Sequence, residues 1–150
     1  MQSSKYSKNY KAPYKGKFKP SNPKKYVGNP TNIIYHSSWE KRFMIYCDKN
    51  PDIIQWASEE LSIPYMNPID RKIHKYYPDF IVKTATKTVM VEIKPKKYLS
   101  KPKYNQRKTK RYYTESYNYI KNNAKWKAAR EYCDDNNIEF KIFTEKELGI

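Results

Sequence analysis

Two short segments bring together side chains that could bind a metal ion and act on a phosphate ester. Pro78-Asp79 precedes Glu92, and Lys94 follows two positions later. Side chains alternate between the two faces of a strand, so Glu92 and Lys94 should project from one face, about 6.6–6.8 Å apart. Carboxylate oxygens are ligands for magnesium or manganese rather than zinc. A lysine can hold an attacking water or a phosphate oxygen, so the set fits metal-assisted hydrolysis of a phosphate ester.

A β-hairpin is the element that must position these side chains. Residues 76–82 and 89–94 are rich in β-branched and aromatic residues, and each is predicted to be a strand. With a turn at residues 85–86, Asp79 faces Glu92 across the hairpin, with Cβ atoms about 5 Å apart. Two carboxylates this close repel each other unless a cation lies between them or one of them is protonated.

Two interpretations of these residues stay open. Glu-x-Lys is common on solvated strands, where Glu92 and Lys94 would form an ion pair worth about 0–1 kcal/mol. The conjunction with Pro78-Asp79, flanked by core residues in a basic chain, favours catalysis. Glu40 also has two explanations, since it can close a capping box with Ser37 or supply a third carboxylate from the preceding helix.

Helices and further strands should surround the hairpin. A helix capped by Ser37 or Ser38 is predicted to end near Lys49, a long helix is predicted over residues 113–136, and residues 138–143 alternate like a strand. The apolar face of the long helix should consist of Tyr113, Tyr117, Ile120, Ala124, Ala128 and Tyr132. This order predicts the α/β (α+β) class, with a mixed sheet packed against helices.

The charge of the chain indicates a polyanionic partner. With 31 basic and 15 acidic residues the net charge is +16, and nucleic acid presents a dense line of phosphates. Residues 1–30 are predicted to be a flexible basic arm, residues 31–150 the folded domain, and residues 95–111 a basic loop. The long helix also carries a basic stripe that could be a solvated face: Lys121, Lys125, Lys127 and Arg130. The residues predicted to bind DNA phosphates are Lys15, Lys17, Lys19, Lys24, Lys25, Lys96, Lys97, Lys101, Lys103, Arg107, Lys108, Lys110 and Arg111.

Several other classes of protein and site are not expected. No apolar run approaches the ~20 residues of a membrane-spanning helix, so no membrane partner is predicted. Cys47 and Cys133 lack the spacing of a zinc site and are too few for a disulfide framework, so they should be buried free thiols in a reducing compartment. No small-molecule cofactor is expected.

The motif residues resemble a known nuclease family. Pro78-Asp79 followed by Glu92-Ile93-Lys94 resembles the PD-(D/E)xK motif of restriction-endonuclease-like nucleases. From about Tyr14 to the C-terminus, the chain resembles the head completion proteins of T-even-type tailed phages, and the domain is also similar to the end-cleaving nuclease subunit of certain transposases. The segments that carry the phage resemblance are residues 30–35, 38–40, 58–60, 63–65, 77–82, 92–96 and 124–129.

The resemblance implies a restriction-endonuclease-like fold and a DNA endonuclease that uses Mg²⁺, with Mn²⁺ as an alternative. It implies that Glu40, Asp79 and Glu92 bind the metal and that Lys94 positions or activates the water. It further implies that the protein acts after packaging, at the portal or neck, on the end of the packaged double-stranded DNA. Such a protein is expected in the host cytoplasm during assembly and then in the virion. The alternatives are a catalytically silent protein that binds the DNA end or plugs the portal, and a resolvase for branched DNA.

Overall fold

The computed structural model describes residues 15–104 and 108–150. Short 3₁₀ helices lie at Pro23–Lys25 and Lys96–Leu99. The strands and helices are, in chain order, β1 (Gly16–Phe18), β2 (Ile33–Tyr35), α1 (Ser38–Lys49), β3 (Ile53–Ser58), β4 (Ile63–Asn67), β5 (Lys72–Tyr76), β6 (Phe80–Thr84), β7 (Thr88–Ile93), α2 (Lys110–Asp135), β8 (Glu139–Phe143) and α3 (Glu145–Leu148). The fold is of the predicted mixed α+β class.

A four-stranded mixed sheet in the order β3-β6-β7-β8 forms the centre of the fold. Strand β6 pairs antiparallel with both β3 and β7, and β8 runs parallel to β7. The β6–β7 hairpin has the predicted register, because Phe80 pairs with Val91 and the amide of Thr84 donates to the Lys87 carbonyl at 2.9 Å. Strand β7 therefore lies inside the sheet, where backbone pairing on both sides fixes its position.

Two apolar clusters cover the two faces of this sheet. On one face, α1 contributes Phe43, Met44 and Cys47 to the cluster that takes up Val89 and Val91 from β7. On the other face, Met90 packs with residues of α2 and of the β4–β5 ribbon, namely Trp126, Ala129, Cys133, Ile63, Tyr65 and Tyr76. Each fully buried apolar side chain stabilises the fold by about 1.5–3 kcal/mol. Because β7 is covered on both faces, a polar side chain on it needs a specific partner.

The predicted continuous strand over residues 76–82 is wrong. Strand β5 ends at Tyr76 and pairs with β4 in a separate two-stranded sheet. Pro78 lies in the connection to β6, and its missing N–H cannot take part in a ladder. Asp79 is consequently the residue immediately before β6, at the end of the central sheet.

The long helix begins earlier than predicted, and only the later residues of its predicted apolar face, Ala124, Ala128 and Tyr132, pack against a core cluster. Helix α2 starts at Lys110, because the side chain of Thr109 accepts a hydrogen bond from the Tyr112 amide at 3.1 Å. Lys110 and Arg111 are thus helical, and the predicted loop over residues 95–111 is shorter. The buried residues of α2 are Trp126, Ala129 and Cys133, whereas Tyr113, Tyr117 and Ile120 of the predicted apolar face are exposed.

The N-terminal segment joins the core well before the predicted boundary at residue 30. Strand β1 pairs with β2, and Phe18 and Tyr26 are buried against Trp56 with ring centroids 5.9 and 4.8 Å apart. The aromatic residues of this segment therefore serve as core residues from Phe18 onward. Residues 1–14 of the predicted arm lie outside the described residues.

A buried carboxylate anchors this segment to the end of α1. The Asp48 side chain accepts hydrogen bonds from the amides of Ser21 at 2.8 Å and Asn22 at 2.9 Å.

Cys47, beside Asp48 in the chain, and Cys133 are both buried free thiols, as predicted. Burial raises the pKa of both thiols, to about 11 for Cys133. Across residues 15–104 and 108–150, no helix is long and apolar enough to span a membrane.

Replacing Asp48 with alanine should destabilise the protein by about 2–4 kcal/mol, since two amides would lose a charged acceptor. Asp52 is exposed nearby and its carboxylate makes no hydrogen bond within the described part of the chain, so Asp52→Ala is the matched control. Urea unfolding monitored by tryptophan fluorescence measures both changes. Equal stability of the two variants would show that Asp48 does not anchor residues 21 and 22.

Candidate active site

The predicted site residues meet at the end of the central sheet. Asp79 lies just before β6, Glu92 lies near the end of the adjacent strand β7, and Lys94 follows that strand. The ammonium of Lys94 is 4.0 Å from Oε2 of Glu92. The structure therefore brings the Pro-Asp and Glu-x-Lys segments together as predicted. A cavity of about 670 Å³ lies between α1 and the face of the sheet that packs against it. None of these side chains lines that cavity.

Backbone contacts hold Asp79 in place. Its Oδ2 accepts a hydrogen bond from the amide of Ile93 at 2.8 Å, which ties the side chain to the end of β7. Its carbonyl accepts the amide of Glu59 at 3.2 Å. Glu59 has a left-handed backbone with φ of 55°, which is uncommon for a residue other than glycine and is found at functional sites.

Glu92 is buried rather than solvated. The residue is 7 % exposed, and Oε1 accepts a hydrogen bond from the hydroxyl of Tyr76 at 2.6 Å. Burial of a carboxylate is costly unless hydrogen bonds or opposite charges compensate for it. The interpretation of Glu92 and Lys94 as an ion pair on a solvated strand face is therefore wrong.

Glu40 lies in the first turn of α1, facing the same end of the sheet. Ser37 caps the helix by accepting the Glu40 amide at 3.1 Å. The Glu40 carboxylate accepts the amide of His36 at 3.0 Å, one residue before the cap, so the predicted reciprocal bond to the cap amide is displaced. Burial raises the pKa of Glu40, and the charge of Glu40 in turn raises the pKa of Asp79.

The charges of Glu92 and Glu40 disfavour ionisation of Asp79. Burial and the neighbouring charges of Glu92 and Glu40 raise the pKa of Asp79 well above its usual range. Burial also raises the pKa of Glu92, although the Tyr76 hydroxyl and Lys94 act in the opposite direction. Negative charges held this close favour a proton or a cation between them.

Each of the three carboxylates has one oxygen held by a short hydrogen bond, and Oε2 of Glu92 is the partner of the Lys94 ammonium at 4.0 Å. The held oxygens are Oε1 of Glu40, Oδ2 of Asp79 and Oε1 of Glu92. Such a set of hard oxygen donors suits a magnesium or manganese ion. Within the described ranges no three Asp, Glu, His or Cys side chains stand close enough to enclose an ion as they are placed.

Two residues at the site escaped the sequence analysis. Tyr76 was assigned only to a strand, and nothing in its sequence neighbourhood indicates that its hydroxyl reaches Glu92. Lys125 was grouped with the basic stripe of the long helix, yet its ammonium lies 5.7 Å from the ring centroid of Tyr76 and 5.9 Å from that of Tyr65. Burial and the charge of Lys121 lower the pKa of Lys125.

Most of the residues predicted to bind DNA phosphates are exposed, but two differ. Lys25 is half-buried, and its ammonium donates to the carbonyl oxygens of Asp48 at 3.1 Å and Asn50 at 2.8 Å, which stabilises the end of α1. Arg107 lies outside the described residues. The exposed members of the set are Lys15, Lys17, Lys19, Lys24, Lys96, Lys97, Lys101, Lys103, Lys108, Lys110 and Arg111.

Comparison with known proteins identifies the family. The family described as "TnsA-like endonuclease N terminal" matches residues 50–145, a range that contains Asp79, Glu92 and Lys94. The chain belongs to the TnsA-like endonuclease family. It is also 40 % identical over 140 residues to the head completion nuclease of Enterobacteria phage T4, a match that covers 90 % of this chain and 93 % of that protein. The resemblance to head completion proteins and the expected nuclease fold are thereby confirmed.

Replacing Asp79 with asparagine should raise the unfolding midpoint of the metal-free protein at pH 8 by a few degrees. Asparagine keeps an oxygen for the Ile93 amide and removes one of the repelling charges. A raised carboxyl pKa lowers stability as pH rises from the unfolded-state pKa toward the folded-state pKa, so the gain should vanish toward about pH 3, where Asp79 is largely protonated in both states.

Differential scanning calorimetry at both pH values, with chelator present, tests this expectation. Asp134→Asn, an exposed position of α2, is the matched control and should leave the midpoint unchanged. A lower midpoint for Asp79→Asn at pH 8 would contradict the inferred repulsion.

Proposed function

We propose that the protein is a metal-dependent DNA endonuclease that processes the end of the packaged genome and so completes the phage head. The observation that carries this proposal is the set of carboxylates at one end of the central sheet, Glu40, Asp79 and Glu92, with the Lys94 ammonium 4.0 Å from Oε2 of Glu92. The name of the phage T4 relative, head completion nuclease, supports the biological role.

Mg²⁺, with Mn²⁺ as a substitute, would be held by Glu40, Asp79 and Glu92. When bound, such an ion lowers the pKa of water and offsets negative charge on the phosphate. The apo positions of these side chains require them to converge on the ion.

The residues around the carboxylates have separate tasks in this proposal. Lys94 holds the attacking water or a phosphate oxygen, since its ammonium lies beside Glu92 and keeps donors free. Tyr76 orients Glu92, and the Ile93 amide orients Asp79. These fixed contacts reduce the reorganisation needed when DNA arrives.

Exposed lysines supply a grip on DNA that does not depend on sequence. The net charge of +16 attracts phosphates, and the exposed lysines at residues 15–24 and in the described part of the segment between β7 and α2 lie outside the apolar clusters. We propose that the basic residues at the N-terminus extend this grip. The proposed partners are double-stranded DNA at the packaged end and proteins of the portal or neck, first in the host cytoplasm and then in the virion.

Glu92→Gln, Asp79→Ala and Lys94→Ala should each cleave DNA at less than about 1 % of the wild-type rate, because each lacks a metal ligand or the water-positioning ammonium. The assay incubates linear and supercoiled duplex DNA with Mg²⁺, with Mn²⁺ or with chelator. Glu131→Gln, an exposed position of α2, should cleave like wild type. Cleavage by Glu92→Gln at the wild-type rate would remove the site assignment.

A phage carrying Glu92→Gln should assemble DNA-filled heads that cannot accept tails, because the proposed role requires cleavage. Electron microscopy of lysates and plaque counts measure this. Full infectivity would instead support the catalytically silent protein that binds the DNA end or plugs the portal. A strong preference of the purified protein for branched over linear DNA would favour the resolvase.

A further inference from the structure

We propose that Lys125 is a second phosphate-binding residue of the active site, which contacts the DNA backbone from α2 while Lys94 contacts the reacting region from β7. The inference rests on the proposed function and adds to it the residue that holds the substrate on the α2 side. Neither the sequence motif nor the family match assigns a role to Lys125.

Two buried aromatic rings set the position of this ammonium. Lys125 Nζ lies 5.7 Å from the ring centroid of Tyr76 and 5.9 Å from that of Tyr65. Both rings belong to the cluster between α2 and the β4–β5 ribbon and are therefore fixed. The hydroxyl of Tyr76 donates to Glu92, so one ring links the Lys125 ammonium to a proposed metal ligand. A cation over an aromatic face is stabilised there without using its N–H donors.

The Lys125 ammonium has no hydrogen-bond acceptor and no ion-pair partner among the described residues, although it is half-buried. Two other partly buried lysines have polar partners: Lys25 donates to two carbonyl oxygens, and Lys94 faces Glu92. If Lys125 served only to neutralise Glu92, a contact within 4 Å would be expected. The ammonium instead keeps three donors free beside the site, which is the arrangement that binds a phosphate oxygen.

A second lysine lies on the same face of helix α2. Lys121 lies one turn before Lys125, and its ammonium is 5.3 Å from the ring centroid of Tyr117. The charge of Lys121 disfavours the charged form of Lys125. Like charges at this spacing destabilise a helix unless a polyanion binds them both. A strand of DNA crossing this face toward Glu92 would supply the missing negative charge.

The test compares the wild-type protein with three single variants: Lys125→Met, Lys125→Arg and Lys127→Met. Methionine keeps an apolar stem over the two rings, arginine keeps the charge, and Lys127 is an exposed residue on the same helix. Binding of a duplex oligonucleotide is measured in chelator over a range of salt concentrations. Cleavage is measured as kcat/KM with Mg²⁺ and with Mn²⁺, and folding is checked by the thermal unfolding midpoint.

Lys125→Met should lower kcat/KM at least tenfold, the loss expected when one charged hydrogen bond to a phosphate is removed. It should also reduce the magnitude of the slope of the logarithm of the DNA-binding constant against the logarithm of salt concentration by about one. Its unfolding midpoint should equal that of wild type. Lys125→Arg should restore most of both losses. Lys127→Met should retain wild-type kcat/KM.

Wild-type kcat/KM and salt slope in Lys125→Met would overturn the inference. A loss in Lys125→Met that Lys125→Arg fails to restore, together with a lowered midpoint, would assign Lys125 a structural role and also overturn it. If wild type binds DNA but cleaves none, the proposed function fails, and the salt slopes of the variants still decide the role of Lys125.

Discussion

Repulsion between buried carboxylates is the constraint on which the site depends. Asp79 and Glu92 lie at the ends of neighbouring strands; burial raises the pKa of both, and the charge of Glu92 raises the pKa of Asp79 further. A protein gains no stability from this arrangement, so the surrounding contacts must hold it in place. The Ile93 amide holds Asp79 and the Tyr76 hydroxyl holds Glu92. These fixed contacts leave the facing oxygens available to a cation.

Packing on both faces of the central sheet keeps these contacts rigid. Strand β7 is covered by α1 on one face and by α2 with the β4–β5 ribbon on the other, so Glu92 is placed by two apolar clusters at once. The ribbon ends at Tyr76, and the following Pro78 stops the pairing and directs Asp79 toward the sheet. Loss of packing between α2 and the β4–β5 ribbon should therefore displace the Glu92 side chain before it changes the register of the β6–β7 hairpin.

Local patterns predicted much of this arrangement. The hairpin register, the Ser37 cap and the grouping of Asp79, Glu92 and Lys94 follow from alternation, turn position and capping chemistry, which are short-range properties. The burial of Glu92 could not be predicted, because it depends on how α2 and the ribbon dock. For the same reason Tyr76 and Lys125 were missed, and Phe18 and Tyr26 were assigned to an arm rather than to the core around Trp56. Long-range packing decides these features, and the sequence neighbourhood of each residue carries no sign of it.

The most direct test of the account is the unfolding midpoint as Mg²⁺ or Mn²⁺ is added in the absence of DNA. A ligand that binds only the folded state raises the midpoint by mass action. The account predicts a rise that saturates with metal concentration in wild type and in Glu131→Gln, and a much smaller rise in Asp79→Ala and Glu92→Gln. An equal rise in all four proteins would contradict it, because the ion would then bind without these carboxylates.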